Sequence, residues 1–385
     1  MLFGKKVTVG VDIGSSMVKV VQLRRSGKDI ELEKFAMEPI FAGRDKKAGG
    51  LDLKELKTSA TRRALEMAGI SAKYAISSVS GESIIVRYIQ LPEMPENELK
   101  NALRWEAEEY IPFRIDEVNL DSVILGRAEG EGEGKVDVLL VSAKKDLINE
   151  HLDIINQVGL TPLIVDVDSF AFLNCFEINH APDTSEVVAL INIGAEITNI
   201  NVYMGGTSRF SRDISIAGDS ITNSIAGKLN IDFPKAESLK VSQGAPQVSS
   251  EETSEEEDEG LLASIRGTVE KITGEDLGDD SQEAICQKVI RNNLQNLLGE
   301  ISRSIQFFEN QPTGRTVQRV VLGGGTSRMR NVVPFFSKEL GLPVEVIDPL
   351  RRITVRSGLQ SDVSSAQEML GVVIGLALRK VVENK

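Results

Sequence analysis

Asp12, Gly14, Ser15, Ser16 and Lys19 stand close together, and their types suit a phosphate. A turn of small residues lets backbone N–H groups converge on an anion, and the Lys19 ammonium adds point charge. The Asp12 carboxylate would repel the same anion. It fits only if a divalent cation lies between the two, held through water as Mg2+ prefers. An ordinary hairpin with a solvated turn would use the same residue types.

Two further stretches extend this chemistry. Asn192-Ile193-Gly194-Ala195 repeats the first pattern, with Asn192 under Asp12 and Gly194 under Gly14. An apolar run, Val320-Val321-Leu322, leads into Gly323-Gly324-Gly325 and then Thr326-Ser327-Arg328. Glycines there let backbone pass against a flat ligand with no Cβ in the way. Arg328 is spaced to lay its guanidinium on an aromatic face.

Strands must hold these groups. Val7, Val9, Val11 and Ile13 alternate with smaller or polar residues, and Val18 and Val20 restart the alternation beyond Gly14-Ser15-Ser16. That pattern predicts a β-hairpin with the phosphate residues at its tip. Val187 to Tyr203 predicts a second one. Two matching hairpins, each opening half of the chain, predict a duplicated α/β architecture with a cleft between two lobes.

Composition narrows the function classes. At 385 residues the chain is too long for one small core. A net charge of −13 argues against a general nucleic-acid binder and against adhesion to anionic lipid by charge alone. Cys175 and Cys286 are isolated and show no zinc-type spacing. His151 and His180 are the only histidines, which disfavours a His-based triad or metal site. Met1 to Lys6 has no secretory pattern, and the longest apolar run, Met369 to Leu378, is too short to cross a bilayer. The chain therefore reads as cytoplasmic.

The three motifs, in this order, resemble the actin/hexokinase/chaperone-ATPase superfamily. The resemblance narrows at Pro92-Glu93-Met94-Pro95, the acidic helix with Glu106-Ala107-Glu108, and Tyr110-Ile111-Pro112-Phe113 followed by Asp116 to Asp121. These stretches resemble the PilM family, actin-like proteins of type IV pilus assembly related to FtsA. The resemblance implies two lobes around a nucleotide cleft and an inserted small α+β domain. The lobe boundaries are expected at 1–30, 151–185 and 365–385 for the first lobe and 31–150 for the insertion. The second lobe is expected at 186–364, with a smaller subdomain at 226–316. Within it, residues 241–282 form an acidic insertion, expected to be mobile.

The family pattern also assigns roles. ATP and Mg2+ are the implied cofactors, with Asp12 holding the cation through water. Gly14, Ser15, Ser16 and Lys19 would face the phosphates from one side, and Gly194 and Ala195 from the other. Gly323, Gly324, Gly325 and Arg328 would hold the adenosine. Gly218 would lie at a helix start beneath the nucleotide. Glu237 and Lys240, three apart on one helix face, would reach ribose and adenine, unless they form only a surface ion pair.

Asp168 matches a position near the attacking water, although a helix N-cap would explain it equally well. Asn192 replaces the usual Asp, brings no charge and takes no proton. The expectation is therefore tight ATP binding with slow hydrolysis, and faster hydrolysis in Asn192→Asp.

The implied partner is the cytoplasmic N-terminal segment of a PilN-type inner-membrane protein, docked in a groove by the inserted domain, alongside other pilus-machine components. With no anchor helix after the last element, recruitment to the inner face of the membrane is expected through that partner. Self-association stays open. An FtsA-like division scaffold and a small-molecule kinase of the same superfamily are the alternative functions. Trp105 is expected to pack against a neighbouring strand.

Overall fold

The valine alternation forms β1 (Thr8–Ile13), antiparallel to β2 (Met17–Ser26), which pairs in turn with β3 (Asp29–Pro39). The structure, a computed structural model, describes residues 7–41, 46, 50, 52–128, 134–247, 281–312 and 314–382. The first half continues with α1 (Leu53–Met67), β4 (Tyr74–Val79), β5 (Ile84–Pro92), α2 (Glu96–Tyr110), β6 (Val118–Arg127) and β7 (Lys135–Lys144). It closes with α3 (Lys145–Gln157), β8 (Thr161–Val167) and α4 (Asp168–His180).

The second half repeats the meander as β9 (Val187–Ile193), β10 (Thr198–Met204) and β11 (Thr207–Ile214). After it come α5 (Gly218–Leu229), α6 (Phe233–Gln243), α7 (Gln282–Glu309), β12 (Arg319–Gly323) and α8 (Val332–Leu340). Short strands β13 (Val344–Val346) and β14 (Ile353–Val355), then α9 (Gln360–Ser364) and α10 (Gly371–Val382), complete the chain. The acidic run at 249–260 lies outside the described residues.

Two sheets carry the duplication. The first runs β14-β3-β2-β1-β4-β8 and the second β11-β10-β9-β12-β13. Each starts as an antiparallel meander and adds a parallel strand beside its first member, β4 on β1 and β12 on β9. The two hairpin tips close alike: Gly14 N–H donates to the Met17 carbonyl at 3.1 Å, and Gly194 N–H to the Ile197 carbonyl at 3.0 Å.

α4 and α10 lie between the sheets, and their apolar side chains merge with Val21, Leu32 and Ile76 of one sheet and Leu190 and Val321 of the other. The two helices cross closely at Gly375, where a Cβ would sit 1.7 Å from the Ala171 carbonyl oxygen. Any larger residue there must push the helices apart. The outer faces are covered by α1 and α3 on the first sheet and by α5, α7 and α8 on the second.

The inserted domain is smaller than expected. β3, α1 and β4, all within 31–150, belong to the first lobe. Only β5-β7-β6 form a separate sheet, covered by Leu103 and Ala107 of α2. The insertion therefore spans 84–144. β14 also pairs with β3, so the first lobe resumes by residue 353 and not at 365. Strand pattern alone does not say which strands share a sheet.

Trp105 is a second correction. Leu103 and Ala107, one helical turn apart, set the buried face of α2, and Trp105 points away from it with 76% of its surface exposed. Tyr110, at the end of the same helix, is likewise exposed.

His151 of α3 is buried against β4, with Nε2 2.8 Å from the Ser77 hydroxyl. Burial lowers its pKa to about 4, and Lys57 adds to the fall. The folded chain therefore keeps this imidazole neutral, whereas an unfolded chain protonates it below about 6.5. Stability from this group is complete above that value and is lost as pH falls toward 4. Moving from pH 7 to pH 5 is expected to remove about 2 kcal/mol through His151. Urea unfolding at the two pH values checks this: His151→Asn should flatten the slope, and an equally steep slope in the variant contradicts it.

Candidate functional site

The two hairpin tips, the start of α5 and the turn after β12 converge on one cleft of about 410 Å³. From the first lobe, Asp12, Gly14, Ser15, Ser16 and Lys19 line it. Asn192, Gly194, Ala195 and Gly218 come from the second, and Gly324, Gly325 and Arg328 from the turn. Glu237, Lys240 and Asp168 complete the expected set.

Gly323 is the exception. It does not line the cleft: a Cβ on it would sit 2.4 Å from the ring of Phe172 on α4, so it serves helix–sheet packing. Gly324, at φ +86°, turns the chain into the cleft, and a Cβ there would meet the Ile193 carbonyl at 2.4 Å.

Charge is arranged in local pairs. Lys19 Nζ lies 2.8 Å from Asp12 Oδ2, and both are nearly withdrawn from solvent. Lys240 Nζ lies 2.7 Å from Glu237 Oε2 and also donates to the Thr222 hydroxyl at 2.9 Å and the Gly218 carbonyl at 3.2 Å. With Lys240 only 7% exposed, this is no surface ion pair. Arg328 stays half-exposed at the rim, with Nη1 3.4 Å from the Met369 sulfur and Nε 3.8 Å from Glu368.

Asp168 begins α4, whose N-cap is Val167, so the N-cap reading falls. Burial pushes its carboxyl up to about 7, and the Asp12 carboxylate adds to the rise. A carboxyl poised there exchanges a proton near neutral pH.

Several participants escaped the sequence. Lys46, in the loop after β3, spans the cleft to Asp219 at 2.5 Å and also pairs with Glu196. Burial alone would lower the Lys46 pKa, but the bonds to Asp219 and Glu196 outweigh it and raise it. No residue spacing announces an ion pair between the two halves of the chain. Ser80 lines the cleft beside Asp168, and Asn199 lines it beside Asn192.

The residues fit a nucleotide better than a directly ligated metal. Tight glycine turns, the largely enclosed Lys19, the buried Lys240 and a rim arginine suit phosphates and a base. No group of three or more acidic, His or Cys side chains that could hold a metal occurs among the described residues. A cation at Asp12 would therefore keep most of its water.

Asn192 has a local reason to be Asn. Its Nδ2 donates to Asn199 Oδ1 at 2.9 Å, and Asn199 Nδ2 donates to Asp213 Oδ1 at 2.8 Å. An Asp at 192 has no N–H to give. Asn199 would then have to turn its amide and set an oxygen against the Asp213 carboxylate. Asn192→Asp is expected to lower stability by about 1–3 kcal/mol, read by urea unfolding without nucleotide. An unchanged midpoint would show that Asn199 readjusts freely, and the faster hydrolysis expected from sequence would regain its premise.

Comparison with known proteins bears on the family and the fold. The family model described as type IV pilus assembly protein PilM matches residues 10–266, and that of cell division protein FtsA matches residues 189–369. The solved PilM-PilN type IV pilus biogenesis complex is similar at a TM-score of 0.77 and 26% identity, covering 98% of this chain and 99% of that one. The MamK double helical filament is similar in fold at a TM-score of 0.50 and 13% identity, over 98% and 99% of the two chains.

Cell division protein FtsA of Neisseria meningitidis serogroup B is 28% identical over 166 residues, covering 42% of this chain and 36% of that protein. FtsA of Buchnera aphidicola subsp. Baizongia pistaciae is 27% identical over 199 residues, covering 49% and 43%. These matches span less than half the length of the curated relatives. No helix among the described residues is long and apolar enough to cross a membrane. The fold is actin-like, and with the family match running over more than half of its length, the chain belongs to the type IV pilus assembly protein PilM family.

Proposed function

We propose that the cleft binds ATP with Mg2+ and that nucleotide sets this chain's affinity for the cytoplasmic N-terminal segment of a PilN-type inner-membrane protein. The observation that carries the reading is the convergence of both hairpin tips and the turn after β12 on one cleft. In that reading, Gly14, Ser15, Ser16 and Lys19 meet the phosphates opposite Gly194 and Ala195. Gly324, Gly325 and Arg328 hold the adenosine, with Glu237 and Lys240 toward the ribose. Asp12, now paired with Lys19, gains the water shell of the cation and releases the ammonium to the phosphates.

Bound Mg-ATP supplies a phosphoryl group that water can accept. Asp168 holds or releases a proton near neutrality beside that site. Asn192 adds neither charge nor base, so turnover is slow. Nucleotide then acts chiefly as a ligand that selects one arrangement of the lobes, and its output is partner affinity. The similarity to the solved PilM-PilN type IV pilus biogenesis complex supports the partner class. Membrane recruitment and contact with other pilus-machine components follow through that partner.

Fluorescence anisotropy of a labelled peptide from the PilN-type N-terminus, with and without Mg-ATP, tests the reading. Affinity is expected to change by about fivefold or more on adding Mg-ATP. Lys19→Ala is expected to keep the fold and lose the nucleotide effect. A peptide that binds equally well in both conditions contradicts nucleotide control, and one that binds in neither contradicts the partner.

A further inference from the structure

β9, β10 and β11 are neighbours in one sheet, and register places Asn199 opposite Asn192 on one side and opposite Asp213 on the other. The three side chains form a continuous row across the strands. Asn192 donates to Asn199, and Asn199 donates to Asp213. The other Asp213 oxygen accepts the Gly81 N–H at 2.6 Å. Gly81, at φ +105°, lies between β4 and β5, where the chain leaves the first lobe for the inserted domain. The row thus starts in the cleft wall and ends at the root of that domain.

Its direction is chemically imposed. An ionised carboxylate only accepts, so Asp213 demands N–H groups from both sides. That demand turns the Asn199 amide nitrogen toward β11 and its oxygen toward β9. The oxygen in turn requires the Asn192 nitrogen. Asn199 is 3% exposed, so a broken link leaves buried polar groups without partners. A displacement of Asn192 is therefore passed on and not absorbed by water.

The first lobe shows that duplication alone does not produce this row. There Asp12 stands opposite Lys19, and Lys19 stands opposite Met37, where the polar sequence stops. The second lobe has extended it by one strand, and only there does it reach another domain. Neighbouring contacts converge on the same junction. Ser80 lines the cleft with Asp168, and the Ser215 hydroxyl donates to Glu82 at 2.8 Å.

We propose that the Asn192–Asn199–Asp213 row carries occupancy of the cleft to the inserted domain through Gly81. Asp213 is a positioning residue: it lies outside the cleft lining and acts through Asn199 and Gly81. The inference rests on the nucleotide reading of the cleft and says how that site regulates the domain beside it.

Hydrogen exchange of the full chain, read by mass spectrometry with and without Mg-AMPPNP, tests it. Calorimetry measures binding of the same probe. In the unaltered chain, Mg-AMPPNP is expected to change exchange over residues 80–92 by about fivefold or more. Asp213→Asn offers an N–H where a donor already points. It is expected to bind Mg-AMPPNP within about twofold of the parent but to lose the response at 80–92. Asp213→Ser, too short to reach both Asn199 and Gly81, is the second variant, with the same expectation, should Asp213→Asn fail to fold. Ser215→Ala removes a contact at the same junction but outside the row, and should keep the response.

A response that survives in Asp213→Asn or Asp213→Ser overturns the row. So does a parent chain that binds the probe without any change at 80–92. A parent chain that binds no Mg-AMPPNP overturns the nucleotide reading itself, and the two failures are told apart by calorimetry.

Discussion

The ring of Phe172 sits in a slot that only glycine can line. On one side a Cβ at Gly323 of β12 would come within 2.4 Å of it, and on another a Cβ at Gly371 of α10 would come within 2.5 Å. The ring is 1% exposed, and truncation of such a side chain costs on the order of 3–5 kcal/mol. This contact joins α4, α10 and the second sheet into one packed unit. The lobes consequently share a core and do not merely face each other. The cleft borders that core at Val372.

Upon this frame the two copies of the hairpin have diverged. The first presents a carboxylate and an ammonium, Asp12 and Lys19, which hold each other until other charges enter. The second presents an amide row that carries no net charge until it reaches Asp213. The first tip is suited to neutralising phosphate and ordering a hydrated cation. The second is suited to sensing position. Burial raises the pKa of Asp213, which the Asn199 and Gly81 donors oppose, so the row itself helps keep the carboxylate ionised. Lys46 adds a tie from the first lobe to Asp219 and Glu196 at the mouth of the cleft.

Much of this was legible in the chain. Alternating valines and two small-residue tips announced the hairpins, and their order announced the duplication. What the sequence hid follows from long-range pairing. β3 and β4 read as strands, but nothing local says they belong to the first sheet. A run of three glycines shows that backbone comes close to something, yet not that Gly323 meets a phenyl ring while Gly324 and Gly325 meet the cleft. Asn199 and Asp213 are ordinary polar strand residues until register puts them in line. Trp105 was misplaced for a simpler reason: its helix has only a narrow buried stripe, and the largest side chain falls opposite it.

The central claim is that the cleft holds an adenine nucleotide, and the most direct measurement is to denature the purified protein and identify by chromatography what it releases. The account predicts an adenine nucleotide, with ATP predominating over ADP because turnover is slow, either as purified or after equilibration with Mg-ATP. A protein that releases none in both cases contradicts it.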